Sequence, residues 1–128
     1  MPSELPRPTD AELEILTVLW TTGPATVRQV YELISRRRTA QYGTILKFMQ
    51  IMADKGLLLR DEEQRAHVYK PAQPREFTQQ QLAGHLLDRA FSGSAKALLI
   101  GALSAKKTTK AELAELRKLL DGYAKGAK

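Results

Sequence analysis

The sequence predicts a mostly α-helical chain with one small β-hairpin, on three observations. First, the box Ser/Thr-x-x-Glu/Gln occurs as Thr9…Glu12, Thr26…Gln29, Thr78…Gln81 and Thr109…Glu112. In each, the hydroxyl can accept from an orphan backbone N–H while the third residue reaches back, and each precedes an apolar run of helical period. Second, the period changes once, between Leu57 and Pro71, to two short β-prone runs around a polar tip. Third, 128 residues with 43% hydrophobic side chains suffice for one modest core, or for a small domain with an appendage.

The first helix is expected at about Asp10 to Thr21, with Leu13, Leu16, Val18, Leu19 and Trp20 as its apolar face and Gly23-Pro24 as its stop. Asp10, Glu12 and Glu14 read as first-turn acids favoured by the helix dipole. The second helix runs from about Val27 to Ser35, with Val30, Leu33 and Ile34 inward. The third runs from about Tyr42 to Lys55 with Ile45, Phe48, Met49 and Met52 inward, and Gly56 is its expected C-terminal stop. Leu57 to Arg60 and Ala66 to Tyr69 then form the hairpin around Asp61-Glu62-Glu63-Gln64-Arg65, a tip with neither Asn-Gly nor Asp-Gly to set its turn type.

Pro71 to Pro74 reads as a hinge. Three helical patterns follow, at Gln79 to Phe91, at about Ala95 to Ser104, and at Lys110 to Tyr123. The first has an apolar stripe at Leu82, Leu86, Leu87, Ala90 and Phe91. The second is apolar nearly all round at Leu98, Leu99 and Ile100. The third carries Leu113, Leu116, Leu120 and Tyr123 at coiled-coil spacing. A helix apolar on every side needs cover on every side, and three short helices cannot easily supply it. A second copy of the chain in a two-fold dimer is the simplest cover, with Leu82, Leu86, Leu98, Leu99, Ile100, Leu103, Leu113, Leu116 and Leu120 as the candidate interface.

Three helices followed by a hairpin is the order of a winged helix-turn-helix, here residues 5–72, with a helical dimerisation region at residues 77–124. In that arrangement the third helix enters the major groove of double-stranded DNA. Its outward side, Gln41, Tyr42, Gly43, Thr44, Lys47, Gln50 and Ile51, has side chains suited to base edges: Gln for adenine, Thr for a thymine methyl, Lys for guanine or phosphate. Gly43 permits close approach to the DNA backbone, and the helix N-terminus can hold a phosphate.

The net charge is +6, but its distribution matters more. Residues 1–72 carry ten lysines and arginines against nine acids, residues 73–128 ten against five. Within the first half the positive charge is clustered. Between positions 28 and 47, Arg28, Arg36, Arg37, Arg38 and Lys47 face only Glu32. These arginines are candidates for phosphate contacts that set register, as are Arg60, Arg65, His67 and Lys70 of the hairpin. The acids at the wing tip argue against deep insertion there.

Other function classes find little support. With no cysteine there is no disulfide, thiolate nucleophile or thiolate metal site, which also fits a cytoplasmic protein. His67 and His85 are far apart, and His85 reads as packing or a pH-sensitive contact, so no metal or other cofactor is expected. No Ser-His-Asp set, glycine-rich phosphate loop or HExxH motif points to an enzyme. The start shows no signal peptide, and the stretch from Ala97 to Leu103 is too short for a membrane span. A winged-helix protein-protein adaptor is the alternative, and the basic cluster at 28–47 is what an adaptor does not need.

The stretches "LPRPTDAELEILTVLWTTGPATVRQVYELI" and "GTILKFMQIMADKGLLLRDEEQRAHVYKP" resemble the penicillinase repressor family of bacteria, which includes methicillin-resistance and copper-responsive repressors. Thr44-Ile45, Lys55-Gly56, Tyr69-Lys70-Pro71 and a weaker "AELAELRKLL" carry the likeness across nearly the whole chain. The resemblance implies a homodimeric winged-helix repressor on a palindromic operator, controlling β-lactamase or related genes. It also implies a membrane-bound sensor protease that cuts between Asn and Phe, at positions corresponding to Gly101-Ala102, where this chain lacks the pattern. Copper-responsive members use Cys-x-Cys pairs, which are absent here. Tyr42-Gly43-Thr44 and Lys47 also differ from the best-known members, so an operator sequence does not transfer.

Overall fold

Thr9 opens α1 (Asp10–Thr22) with both halves of its box: the Glu12 N–H donates to Thr9 Oγ1 at 3.3 Å, and the Thr9 N–H donates to Glu12 Oε1 at 3.0 Å. Thr26 does the same for α2 (Val27–Ser35) with Gln29. The helix α3 spans Tyr42–Lys55 and ends at Gly56, whose φ of 87° lies in the left-handed region that glycine enters without strain. The computed structural model describes residues 6–127, so the expected domain start at residue 5 lies outside them.

The expected hairpin is present as β2 (Leu58–Asp61) and β3 (Val68–Pro71), antiparallel, with Arg60 opposite Tyr69. It gains a strand that the sequence reading missed. The two residues of β1 (Ala25–Thr26) pair with β3, Ala25 opposite Tyr69 and Thr26 opposite Val68, giving the sheet order β1-β3-β2. The reason is local. Thr26 is the N-cap of α2, a position that takes extended dihedrals, and its φ and ψ of −82° and 164° let one residue serve as both cap and strand. His67 and Ala66 fall just outside β3.

The core of this first unit is made by Ile15, Leu16, Val18 and Leu19 of α1, Val27, Val30 and Ile34 of α2, Ile45, Met49 and Met52 of α3, and Ala25, Leu58 and Tyr69 of the sheet. Val30, Ile34, Met49 and Met52 are wholly buried, so truncating Ile34 or Met49 to alanine should cost about 2–5 kcal/mol. In α1, Ile15 is a core residue the periodicity reading passed over, whereas Leu13 and Trp20 are only half-buried. Glu12 is no mere dipole acid. It is buried and paired with Lys55, and Glu14 pairs with Arg38.

The next helix corrects a boundary. Helix α4 spans Arg75–Ala90 and begins directly after Pro74, four residues before the expected Gln79. Thr78 is therefore not a cap. It lies inside the helix and is buried, while the Phe77 N–H donates to the Pro74 carbonyl at 3.1 Å. At the start of the helix the Arg75 guanidinium sits 5.9 Å from the centre of the Trp20 ring. The chain divides into two compact units, up to Ala83 and from Gly84 onward, and the division falls within α4.

In the second unit Ser94 caps α5 (Ala95–Ala105), and the Thr109 hydroxyl accepts from the Glu112 N–H at the start of α6 (Lys110–Gly126). The Phe91 ring lies against Gly101, where an added Cβ would meet it at 3.4 Å. None of the described residues of this unit is fully buried. Ile100, Leu119 and Leu120 are more than half exposed, and Leu86, Leu103, Leu113 and Tyr123 are exposed as well. Among the described residues no helix is long and apolar enough to cross a membrane.

Candidate nucleic-acid interface

The amphipathic pattern of α3 is realised except at Phe48. Ile45, Met49 and Met52 are buried and Phe48 is half-buried, while Gln41, Tyr42, Gly43, Thr44, Lys47, Gln50 and Ile51 are all exposed. Core packing on one side thus fixes a polar stripe on the other. A Cβ added at Gly43 would meet nothing within 4 Å, so space there is open to an approaching backbone. Gln41 is extended and provides no side-chain cap, in contrast to Thr9, Thr26, Ser94 and Thr109. The first-turn N–H groups of Tyr42 and Gly43 therefore have no cap side chain to accept them, and such groups favour an anion.

Beside this helix runs an open groove of about 570 Å³ between α2, α3 and the wing. It brings together five of the expected contact residues, Arg28, Tyr42, Gln50, Arg65 and His67. Leu46 and the acid Glu32 also line it. Arg28 is not a loose surface cation: its guanidinium lies 5.0 Å from the centre of the Tyr42 ring. Tyr31 meets that same ring edge-on, with centroids 5.7 Å apart and planes at 76°. Neither ring contact is visible in helical spacing, because each joins α2 to α3.

The arginine run does not share this groove. Arg36 borders a hollow with Thr22, Pro24, Gln29 and Glu32, whereas Arg37 and Arg38 border another with Asp10, Glu14 and Thr17 of α1. Arg38 is engaged by Glu14: Nη2 donates to Oε1 at 2.6 Å, Nε donates to both carboxylate oxygens, and Nη1 donates to the Thr39 carbonyl. The Arg38 hydrogen bond holds the Glu14 carboxyl below its ordinary range against the opposing effect of burial, and Arg37 adds to it by charge. In the wing, Arg60 Nε donates to Glu62 Oε2 at 2.7 Å. Its guanidinium is raised above its ordinary value, first by Tyr69 and then by Glu62. Asp61 Oδ1 accepts from the Glu63 N–H at 2.9 Å, so the acids at the tip order the turn.

The sequence profile of penicillinase repressors matches residues 8–122. The chain belongs to the penicillinase repressor family. That family consists of transcriptional repressors, which are not enzymes. The chain is 37% identical over 103 residues to the transcriptional regulator BlaI of Mycobacterium tuberculosis, covering 77% of this chain and 72% of that one. It is 24% identical over 120 residues to the penicillinase repressor of Bacillus licheniformis, covering 94% of each. Two solved structures of BlaI share the winged-helix fold. The DNA-binding domain of the repressor BlaI matches with a TM-score of 0.51 and 28% identity, over 58% of this chain and 90% of that one. The monomeric form of Bacillus licheniformis BlaI, solved in complex with the blaP half-operator, matches with a TM-score of 0.50 and 29% identity, over 57% and 89%.

Proposed function

We propose that this penicillinase repressor family member is a homodimeric, DNA-binding transcriptional repressor that reads a palindromic operator with α3 in the major groove. The observation that carries the reading is the exposed polar stripe of α3, set beside a groove holding Arg28 and Arg65. The likeness to a BlaI form bound to a half-operator supports it. Gln41, Thr44, Lys47 and Gln50 are the candidate base readers. Arg28, Arg36, Arg37 and Arg65 are the candidate phosphate contacts, with Arg38 and Arg60 partly committed to Glu14 and Glu62.

In this reading residues 5–72 bind DNA and residues 77–124 hold the dimer. The exposed Ile100 and Leu103 of α5 and Leu113, Leu119 and Leu120 of α6 support it, because clustered exposed apolar side chains favour an interaction face. A fully buried leucine contributes about 1.5–3 kcal/mol, and covering this face with a second copy would draw on that gain against the entropy lost on association. Two recognition helices about 34 Å apart would then meet successive turns of one duplex face. For the sensor protease implied by the family likeness, the corresponding bond, Gly101–Ala102, lies inside α5, so cutting there requires local unwinding.

A gel shift with DNA from upstream of the protein's own gene, at two salt concentrations, tests this. A shift at low salt that weakens steeply at higher salt is expected, because phosphate contacts release counterions. The absence of a shift in dilute buffer would favour an adaptor role.

A further inference from the structure

The contact between Arg28 and Tyr42 points to a division of labour within the interface. Tyr42 opens α3 and is exposed, which by position alone makes it a reader of base edges. Its ring is already occupied. Arg28 from α2 lies over the face at 5.0 Å, and Tyr31, also from α2, packs edge-on at 5.7 Å. A ring fixed by two partners from the preceding helix has little freedom to turn toward a base. A guanidinium held over a ring by cation–π attraction is still a fork of N–H donors, which matches the oxygens of a phosphate. Such a contact also removes rotamer freedom from a long side chain before binding, so less is lost on contact.

We infer that Tyr42 is a positioning residue: with Tyr31 it forms an aromatic platform that holds Arg28 ready to grip a DNA phosphate at the start of α3. Arg28 makes the contact and Tyr42 acts through it. The neighbourhood fits, since the first-turn N–H groups of α3 lack a side-chain cap and Arg65 lines the same groove. The inference rests on the DNA-binding reading above and refines it, moving Tyr42 from sequence readout to phosphate contact.

The test uses the full chain and two duplexes of about 30 base pairs, long enough for two half-sites a turn apart. One is recovered from a random pool by the wild-type protein, and the other has random sequence. Tyr42→Leu should weaken binding about threefold on both duplexes, the worth of one exposed cation–π contact. Arg28→Ala should weaken both and lower the salt slope by about one. The double variant should bind no worse than Arg28→Ala alone, and Tyr42→Phe, which keeps the ring, should lie closer to wild type than Tyr42→Leu. Should Tyr42→Leu fail to fold by thermal melting, Arg28→Lys addresses the same point. It keeps the charge but gives up the planar fork of donors over the ring, so a loss approaching that of Arg28→Ala supports the inference and wild-type binding overturns it. Losses that multiply in the double variant, or a Tyr42→Leu loss confined to the selected duplex, overturn the positioning role and leave the repressor reading standing. Failure of the wild-type chain to bind either duplex removes both.

Discussion

Lys55, the last residue of α3, donates through Nζ to both carboxylate oxygens of Glu12 in the first turn of α1, at 2.9 and 2.8 Å. Glu12 is only 3% exposed and also closes the cap of its own helix. One buried carboxylate therefore ties the start of α1 to the end of the helix that carries the candidate base readers.

That tie sets a stability expectation. Lys55→Met leaves a buried carboxylate without its counter-charge and should cost about 2 kcal/mol. Glu12→Gln, which still offers a carbonyl to Lys55 and Thr9, should cost less. Thermal melting at neutral pH measures both. The pH dependence follows from the same carboxyl. Burial pushes its pKa up, but the Lys55 hydrogen bond, the Thr9 N–H and the charge of Lys55 bring it below the ordinary value. Its contribution is thus present above the ordinary glutamate range and lost as pH falls through the lowered folded value. Acid titration of wild type and Glu12→Gln should show the variant losing less stability across that window.

Arg37 and Arg38 should behave differently despite being adjacent. Arg38 is held by Glu14 in a fork, while Arg37 acts on Glu14 only through its charge. Arg37→Ala should weaken binding to specific and random duplexes alike, by several-fold, and reduce the salt slope by about one. Arg38→Ala should have the smaller effect on affinity. Fluorescence anisotropy across a salt series separates them, and equal losses would mean that Arg38 leaves Glu14 on binding.

Lys47 projects from the middle of the exposed stripe of α3. Lys47→Ala should cost about 1–3 kcal/mol on the preferred duplex and relax sequence preference. Selection of duplexes from a random pool by the variant checks this, and an unchanged preference would exclude Lys47 from base reading.

Ile100 and Leu120 are 56% and 53% exposed. In a lone chain an aspartate at either place would be harmless, whereas within a dimer interface it buries a charge at high cost. Sedimentation should show wild type at twice the chain mass, and Ile100→Asp and Leu120→Asp as single folded chains.

The parts of this molecule readable from sequence are those built by neighbours in the chain. Thr9 with Glu12 and Thr26 with Gln29 mark their helix starts because each box closes within one turn, and Ile45, Met49 and Met52 orient α3 because helical period is local. Thr78 carries the same box, yet Pro74 starts the helix earlier and buries it. The two residues of β1 become a strand only because Tyr69 and Val68 lie across from them, although the cap at Thr26 already makes that residue extended. Glu12 and Lys55 are 43 positions apart, and Arg28 reaches Tyr42 only after two helices have packed. Such contacts leave no periodic trace, so the stripe of α3 was legible while the platform under Arg28 was not.

Guanine methylation interference on a duplex selected by the full chain tests the central claim most directly, because N7 lies in the major groove. The account predicts that methylation blocks binding at two clusters about one helical turn, roughly 34 Å, apart and on one face of the duplex. Binding indifferent to N7 methylation everywhere along the duplex would contradict it.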